Sequence, residues 1–237
     1  MKQTLRQRFP APHIVLPVIH VASQEQALRN AAIARDAAAD GIFLINHHVG
    51  STELLQIHEV VADAFPDWWI GLNCLGMAPA TVFTRISDRV NGVWVDNAMI
   101  DERQEEQPAA NAVVETHRRR GWQGLYFGGV AFKYQREVDD LEEAARIAKD
   151  YMDVVTTSGL GTGSAADVEK IRTMKQALGD APLAIASGIT PENIGHYLPW
   201  SDCYLVATGI SRNFEDLDPE LTRRLVQKVR AYDAERK

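Results

Sequence analysis

Eight short apolar runs, separated by stretches whose apolar residues recur at helical spacing, constrain this chain more than any other feature. The runs are His13–Val21, Gly41–His47, Trp68–Cys74, Val90–Asn97, Gly124–Phe132, Met152–Ser158, Leu183–Ser187 and Cys203–Thr208. Helical spacing marks Gln24–Ala39, Leu54–Phe65, Ala112–Arg119, Asp140–Asp150 and Val168–Leu178, and a last segment at Pro219–Ala234 closes the chain. Alternation of this kind predicts a parallel sheet, because strands that run the same way need a long crossover between them. Most of the runs are apolar almost throughout, as strands covered on both faces are. An open doubly wound sheet would alternate similarly. Eight units in 237 residues, against about 250 for a typical closed barrel, and the lack of a Gly-x-Gly-x-x-Gly turn after the first run favour closure. The expected fold is α/β, a single (β/α)8 TIM barrel forming one domain over residues 1–237.

Two late junctions point to a ligand. One apolar run ends in Ser187-Gly188-Ile189 and the next in Thr208-Gly209-Ile210. Pro191-Glu192 follow the first, and are the residues expected where a helix begins. Glycines at such junctions leave backbone N–H groups uncovered beside helix N-termini. The loops after the seventh and eighth strands of a barrel hold phosphate in this way. A third stretch, Ser158-Gly159-Leu160-Gly161-Thr162-Gly163, lacks the spacing of a dinucleotide fingerprint and reads as a loop covering the ligand. The expected partner is a small phosphorylated molecule, contacted by Ser158, Gly159, Thr162 and Gly163 together with the two junctions.

In a barrel the chemistry sits where strands end at the C-terminal face. Those ends carry His20, Asn46-His47-His48, Asn73-Cys74, Asp96-Asn97, Lys133 and Thr156–Ser158. A histidine, a carboxylate and an ammonium around one mouth supply a base, an acid and an anion clamp. Asp96 and His20 are the expected proton-transfer pair, with Lys133 contacting phosphate or a developing oxyanion. Each has a structural alternative: Asp96 as a loop cap, His20 as a hydrogen-bonded core residue. Neighbouring residues on a strand face opposite ways, so one of His47 and His48 looks into the mouth, and His47 is the one favoured. No His-x-His pair or bridging lysine is present, and neither a metal nor another cofactor is expected. Cys74 reads as a buried small hydrophobe rather than a nucleophile. The long charged loop Met99–Asn111 is expected to be mobile and is a candidate lid.

The chain is 46% hydrophobic with a formal charge of -7, which argues against a nucleic-acid surface. Its one basic cluster, Arg118-Arg119-Arg120, closes a predicted helix, where cations favour the dipole. No apolar run approaches the roughly 18 residues of a membrane span, and Met1–Phe9 has no apolar core that would make it a signal or an anchor. Cys74 and Cys203 suit reduced thiols in a cytoplasm. No membrane or nucleic-acid partner is expected, and self-association is left open.

Met152–Gly163, Lys175–Pro182, Ala186–Ile194 and Val206–Ser211 together resemble the BtpA/SgcQ family of TIM-barrel proteins. That family's sixth-strand pattern, a Ser-Gly followed by a Thr-Gly, recurs as Ser158-Gly159 and Thr162-Gly163, and its lysine after the fifth strand is matched by Lys133. The first half departs: Asn46-His47-His48 replaces an acidic and aromatic tip, and Gly128-Gly129 stand where an aspartate is usual before the lysine. The resemblance implies two kinds of function, since one branch is linked to photosystem I assembly or stabilisation and another is described as a nucleosidase. The phosphate cradle is shared more widely with barrels similar to phosphoribosylanthranilate isomerase. The expectation is an enzyme acting on a phosphorylated sugar or phosphoribosyl compound, with isomerase, lyase or nucleosidase-like chemistry. A non-catalytic accessory protein that binds a phosphorylated ligand or a protein partner is the alternative.

Overall fold

The computed structural model describes residues 4–236. A short helix, α1 (Leu5–Arg8), precedes β1 (Ile14–Val21), α2 (Gln24–Asp36), β2 (Gly41–Asn46), α3 (Ser51–Ala64), β3 (Trp69–Asn73) and α4 (Pro79–Arg85). The second half runs through β4 (Gly92–Val95), α5 (Pro108–Arg120), β5 (Leu125–Gly129), α6 (Leu141–Ala148), β6 (Val154–Thr157), α7 (Val168–Leu178), β7 (Leu183–Ala186), β8 (Cys203–Val206) and α8 (Pro219–Ala234). The eight strands are parallel and close into a barrel in sequence order. β1 joins the two edges: Ile14–Pro17 pair with Cys203–Val206 of β8, and Val18–Val21 pair with Phe43–Asn46 of β2. Pro17, which brings no amide donor, sits at the hand-over between these pairings.

Alternation along each strand sorts side chains between two cores. Ile14, Leu16, Val18, Phe43, Ile45, Trp69, Trp94, Phe127 and Leu205 fill the barrel, whereas Val15, Ile19, Ile42, Leu44, Ile70, Leu72 and Val93 pack under the helices. Inside, Phe43 meets the rings of Trp69, Trp94 and Phe127 edge-on at 5.1, 5.8 and 5.2 Å. Burying one such side chain stabilises the fold by about 1.5–3 kcal/mol. Two glycines make the room: a Cβ at Gly92 would overlap the Trp69 indole, and one at Gly71 would overlap the Phe43 ring.

The helices begin where side chains can satisfy their free amides. Ser23, Asp140, Asp167 and Asp218 each accept a bond from the first turn of the helix they precede. The arginine cluster does close α5, before a left-handed Gly121. Two departures from the sequence reading have local causes. α4 is seven residues long with only Val82 and Phe83 buried, too short for a helical period to show. Pro191 opens no α-helix, because Asn193 accepts the Thr190 N–H at 2.8 Å and donates to the Gly188 carbonyl at 2.7 Å. That side chain closes a tight turn, and only a 3-10 turn at Ile194–His196 follows.

The fit around Gly92 gives a stability test. Gly92→Ala is expected to destabilise the fold by about 1–3 kcal/mol by overpacking against Trp69, read from urea unfolding. An unchanged midpoint would contradict the packing described.

Candidate functional site

The strand parity that fills the barrel also aims polar residues at its C-terminal mouth. His20 continues the series Ile14, Leu16, Val18; His47 continues Phe43, Ile45; Asp96 continues Trp94. These three, with Lys133, line one cavity of about 210 Å³. Its floor is Val18, Ile45, Trp94 and Leu205, and its rim includes Tyr134, Thr162, Ser187 and Thr208. His48 has the opposite parity and turns outward to Glu215, 3.1 Å away. A larger cavity of about 740 Å³ opens at the opposite face beside Arg8, Arg35 and Trp68. Barrel chemistry does not occupy that end, and Arg89 there is bound to Glu59 and Asp63.

Burial sets the protonation of the mouth. His20 is 6% exposed, and desolvation, helped by the nearby His47, lowers its pKa to about 4. It is therefore neutral at neutral pH. Its Nδ1 lies 2.8 Å from the Phe214 carbonyl, so this nitrogen carries the proton and Nε2 is left as an acceptor. The rings of His47 and Phe214 lie 4.6 and 4.2 Å from that of His20. Desolvation also lowers His47, and Lys133 and His48 add to the effect. Asp96 moves the other way, because desolvation outweighs the hydrogen bond from Asn73 Nδ2 at 2.8 Å and the attraction of Lys133. Asn73, on the interior face of β3, thus holds one carboxylate oxygen; its place at a strand end was legible, its bond to Asp96 was not.

The glycine-rich loops form a connected belt. Lys133 Nζ donates to Thr162 Oγ1 at 3.2 Å, and Ser187 Oγ accepts from the Gly163 N–H at 2.9 Å and donates to the Gly161 carbonyl at 3.2 Å. Backbones touch where glycine removes the Cβ: Gly209 against the Ile189 carbonyl, Gly188 against Ala165, Gly159 against the Ser164 carbonyl. Ser158 is fully buried, its hydroxyl accepting from the Lys133 amide and donating to the Gly159 carbonyl. Ile189 and Ile210 are fully buried, so they can meet a ligand only through their main chain. Among the described residues, the Gly188 and Gly209 amides donate to no protein acceptor. Thr208 and Thr162 are exposed on the rim.

The loop after β4, a candidate lid, is tied to the loop after β5. Arg136 pairs with Glu102 and Asp101, the Asp139 N–H donates to Glu102 at 2.8 Å, and Gln135 donates to the Asp96 carbonyl. Charge count alone could not reveal these partners. Cys74 and Cys203 are buried and unpaired, with the Cys74 thiol pushed up to about 11 by desolvation. Among the described residues no group of three or more His, Cys, Asp or Glu side chains is placed to hold a metal ion, and no helix is long and apolar enough to cross a membrane.

Eight parallel strands closed in sequence order, with helices between them, define a (β/α)8 barrel. The sequence profile of the BtpA family matches residues 108–231, and the chain belongs to that family. No curated protein matches it in sequence. Among solved structures, it is similar to phosphoribosyl anthranilate isomerase from Thermus thermophilus, with 16% identity, TM-score 0.63, and 92% of this chain and 99% of that one covered. A structure described as native KDPGal gives 14% identity, TM-score 0.68 and coverage of 99% and 100%. Tryptophan synthase subunit alpha from Legionella pneumophila gives 11%, 0.66, 92% and 93%. At these identities the likeness shows the fold.

The lowered His20 pKa has a thermodynamic consequence. The unfolded chain takes up a proton near 6.5, the folded chain near 4, so the unfolded state binds more protons between those values. Stability contributed by neutral His20 is present above about 6.5 and is lost as the pH falls toward 4. Over that window the parent is expected to lose on the order of 3 kcal/mol more than His20→Gln, measured by urea unfolding at each pH. Parallel losses would contradict the burial argument.

Proposed function

We propose that the barrel mouth is the active site of an enzyme that processes a phosphorylated sugar or phosphoribosyl compound by proton transfer or by making or breaking a C–N bond. The observation that carries this reading is the single cavity in which His20, Asp96 and Lys133 meet the rims of the loops after β6, β7 and β8. The unpaired Gly188 and Gly209 amides are the donors for the phosphate, with Ser187, Thr208 and Thr162 at the rim. Lys133 adds the positive charge.

Asp96, whose burial makes it a stronger base than a solvated aspartate, is the residue that takes or returns a proton at the sugar carbon or ring oxygen. Asn73 orients it. Neutral His20 offers Nε2 to a ligand hydroxyl, and once protonated it gives the proton up readily because its pKa is low. His47, edge-on to His20, restricts the imidazole. Reaction of this type needs a ligand held with its phosphate at one side of the mouth and its reacting carbon over the apolar floor, which excludes water.

The accessory reading would be favoured by an exposed apolar patch on the outer helices. The large hydrophobic side chains that are exposed among the described residues are Met99, Tyr134, Leu160 and Phe214. Each lies on a loop that follows a strand at the mouth, after β4, β5, β6 and β8. That distribution supports a ligand enclosed at the mouth over a partner docked on the barrel's side. It also leaves the isomerase, lyase and nucleosidase variants open to the same test.

Calorimetric titration with D-ribose 5-phosphate provides that test. Binding is expected for the parent, and Lys133→Met is expected to weaken it by about 1.5–3 kcal/mol, the range for hydrogen bonds to charged groups, with Arg restoring part and the melting temperature nearly unchanged. Equal binding by parent and Lys133→Met would remove the clamp. No binding of any phosphorylated pentose by the parent would overturn the proposal.

A further inference from the structure

Lys170 is the third residue of α7, in the outer helical layer, yet its ammonium is drawn toward the loops after β5 and β6. Nζ donates to the Ala131 carbonyl at 2.5 Å and to the Ser158 carbonyl at 2.8 Å. No carboxylate forms an ion pair with it among the described residues. Burial lowers its pKa to about 8, which still leaves it mostly charged at neutral pH. It therefore makes two charge-assisted hydrogen bonds to two different loops.

Those two carbonyls fix two peptide planes. A trans peptide points its N–H opposite its C=O. The Ala131 carbonyl also accepts from Thr157 Oγ1 at 3.1 Å, and Thr157 has the parity that faces the helices. Both carbonyls thus face the Lys170 ammonium, and the N–H groups of Phe132 and Gly159 point to the opposite side of their peptide planes. Phe132 and Gly159 are buried, and among the described residues neither amide donates to a protein acceptor. Buried backbone donors are seldom left unpaired. Phe132 lies beside the cavity: its ring is 6.0 Å from that of Trp94 on the floor, and Lys133, which follows it in the chain, lines the cavity. Ala131 holds a left-handed φ of 48°, a conformation that costs a non-glycine residue energy and persists only when its surroundings impose it.

We propose that Lys170 is a positioning residue that turns the Phe132 and Gly159 N–H groups into a donor pair for an anionic oxygen of the ligand, beside Lys133 and apart from the Gly188–Gly209 cradle. The inference deepens the proposed site, adding a second anion-binding position on the loops after β5 and β6. The ligand it selects carries two separated oxyanions, or one phosphate and one carbonyl or hydroxyl oxygen that gains charge during reaction.

The test is a 1H–15N spectrum of the full chain titrated with inorganic phosphate, with hydrogen exchange followed at the Lys133 amide, whose acceptor is Ser158 Oγ. In the parent, phosphate is expected to move the Phe132 and Gly159 amide resonances. Lys170→Met should displace both resonances before any phosphate is added, abolish their response, and speed Lys133 exchange by about tenfold or more; Lys170→Arg should restore protection in part. If Lys170→Met does not fold, Lys170→Gln takes its place with the same readouts. Unchanged resonances and exchange in the folded variant would overturn the positioning role. Phosphate that moves Gly188 and Gly209 in the parent but leaves Phe132 and Gly159 unmoved would overturn the donor pair and leave the proposed function standing. The reverse pattern would contradict the cradle and support the donor pair.

Discussion

The hydrogen bonding of β8 to β1 is the constraint on which everything else rests. Once those edges join, every strand has two neighbours, no edge is exposed, and side chains of one parity have nowhere to go but the axis. Phe43, Trp69, Trp94 and Phe127 then fill the lower and middle barrel at the expense of side chains at Gly71 and Gly92. The same parity, one step further along each strand, brings His20, His47, Asn73 and Asp96 to one mouth. Their shared desolvation follows from closure, and so do the opposite pKa shifts of His20 and Asp96. An open sheet would leave these residues along a surface, hydrated and with ordinary titration.

Above the barrel, rigidity comes from the loops rather than from the strands. The loops after β4 and β5 are joined through Arg136 and Glu102, those after β5 and β6 through Lys133, Ser158 and Lys170, and those after β6 and β7 through Ser187. The loops after β7 and β8 are joined by the backbone contact of Gly209 with Ile189. For the proposed ligand such a mouth would be preorganised, its donors fixed before binding and little ordering entropy lost. The glycines of the late junctions are accordingly needed twice, to let loops pack against one another and to leave N–H groups unobstructed.

The sequence made the barrel legible because its signal is repeated. Eight apolar runs placed every strand within a few residues, and helical apolar spacing delimited α7 and α8 as Val168–Leu178 and Pro219–Ala234, although the N-cap of α7 is Asp167 and not Ser164. Where the signal was short it failed, as at α4, or it was overridden locally, as at Pro191, where the Asn193 side chain competes for the backbone. Strand alternation separates His47, which lines the cavity, from His48, which turns to Glu215, since parity is a property of the chain. The bond from Asn73 to Asp96 and the reach of Lys170 to two loops could not be read, because each joins residues from different units whose spacing in sequence carries no record of the contact. The tethering of the charged loop after β4 was hidden for the same reason: its partner, Arg136, lies beyond the next strand.

In the proposed function, one mouth holds both the anion and the reacting end of a phosphorylated sugar. A crystal structure of the chain soaked with D-ribose 5-phosphate tests it most directly. Phosphate density is expected against the Gly188 and Gly209 amides, with the pentose extending over Trp94 so that its carbon atoms lie between Asp96 and His20. Density for the sugar phosphate in the cavity beside Arg8 and Arg35 at the opposite face, with the mouth unoccupied, would contradict it.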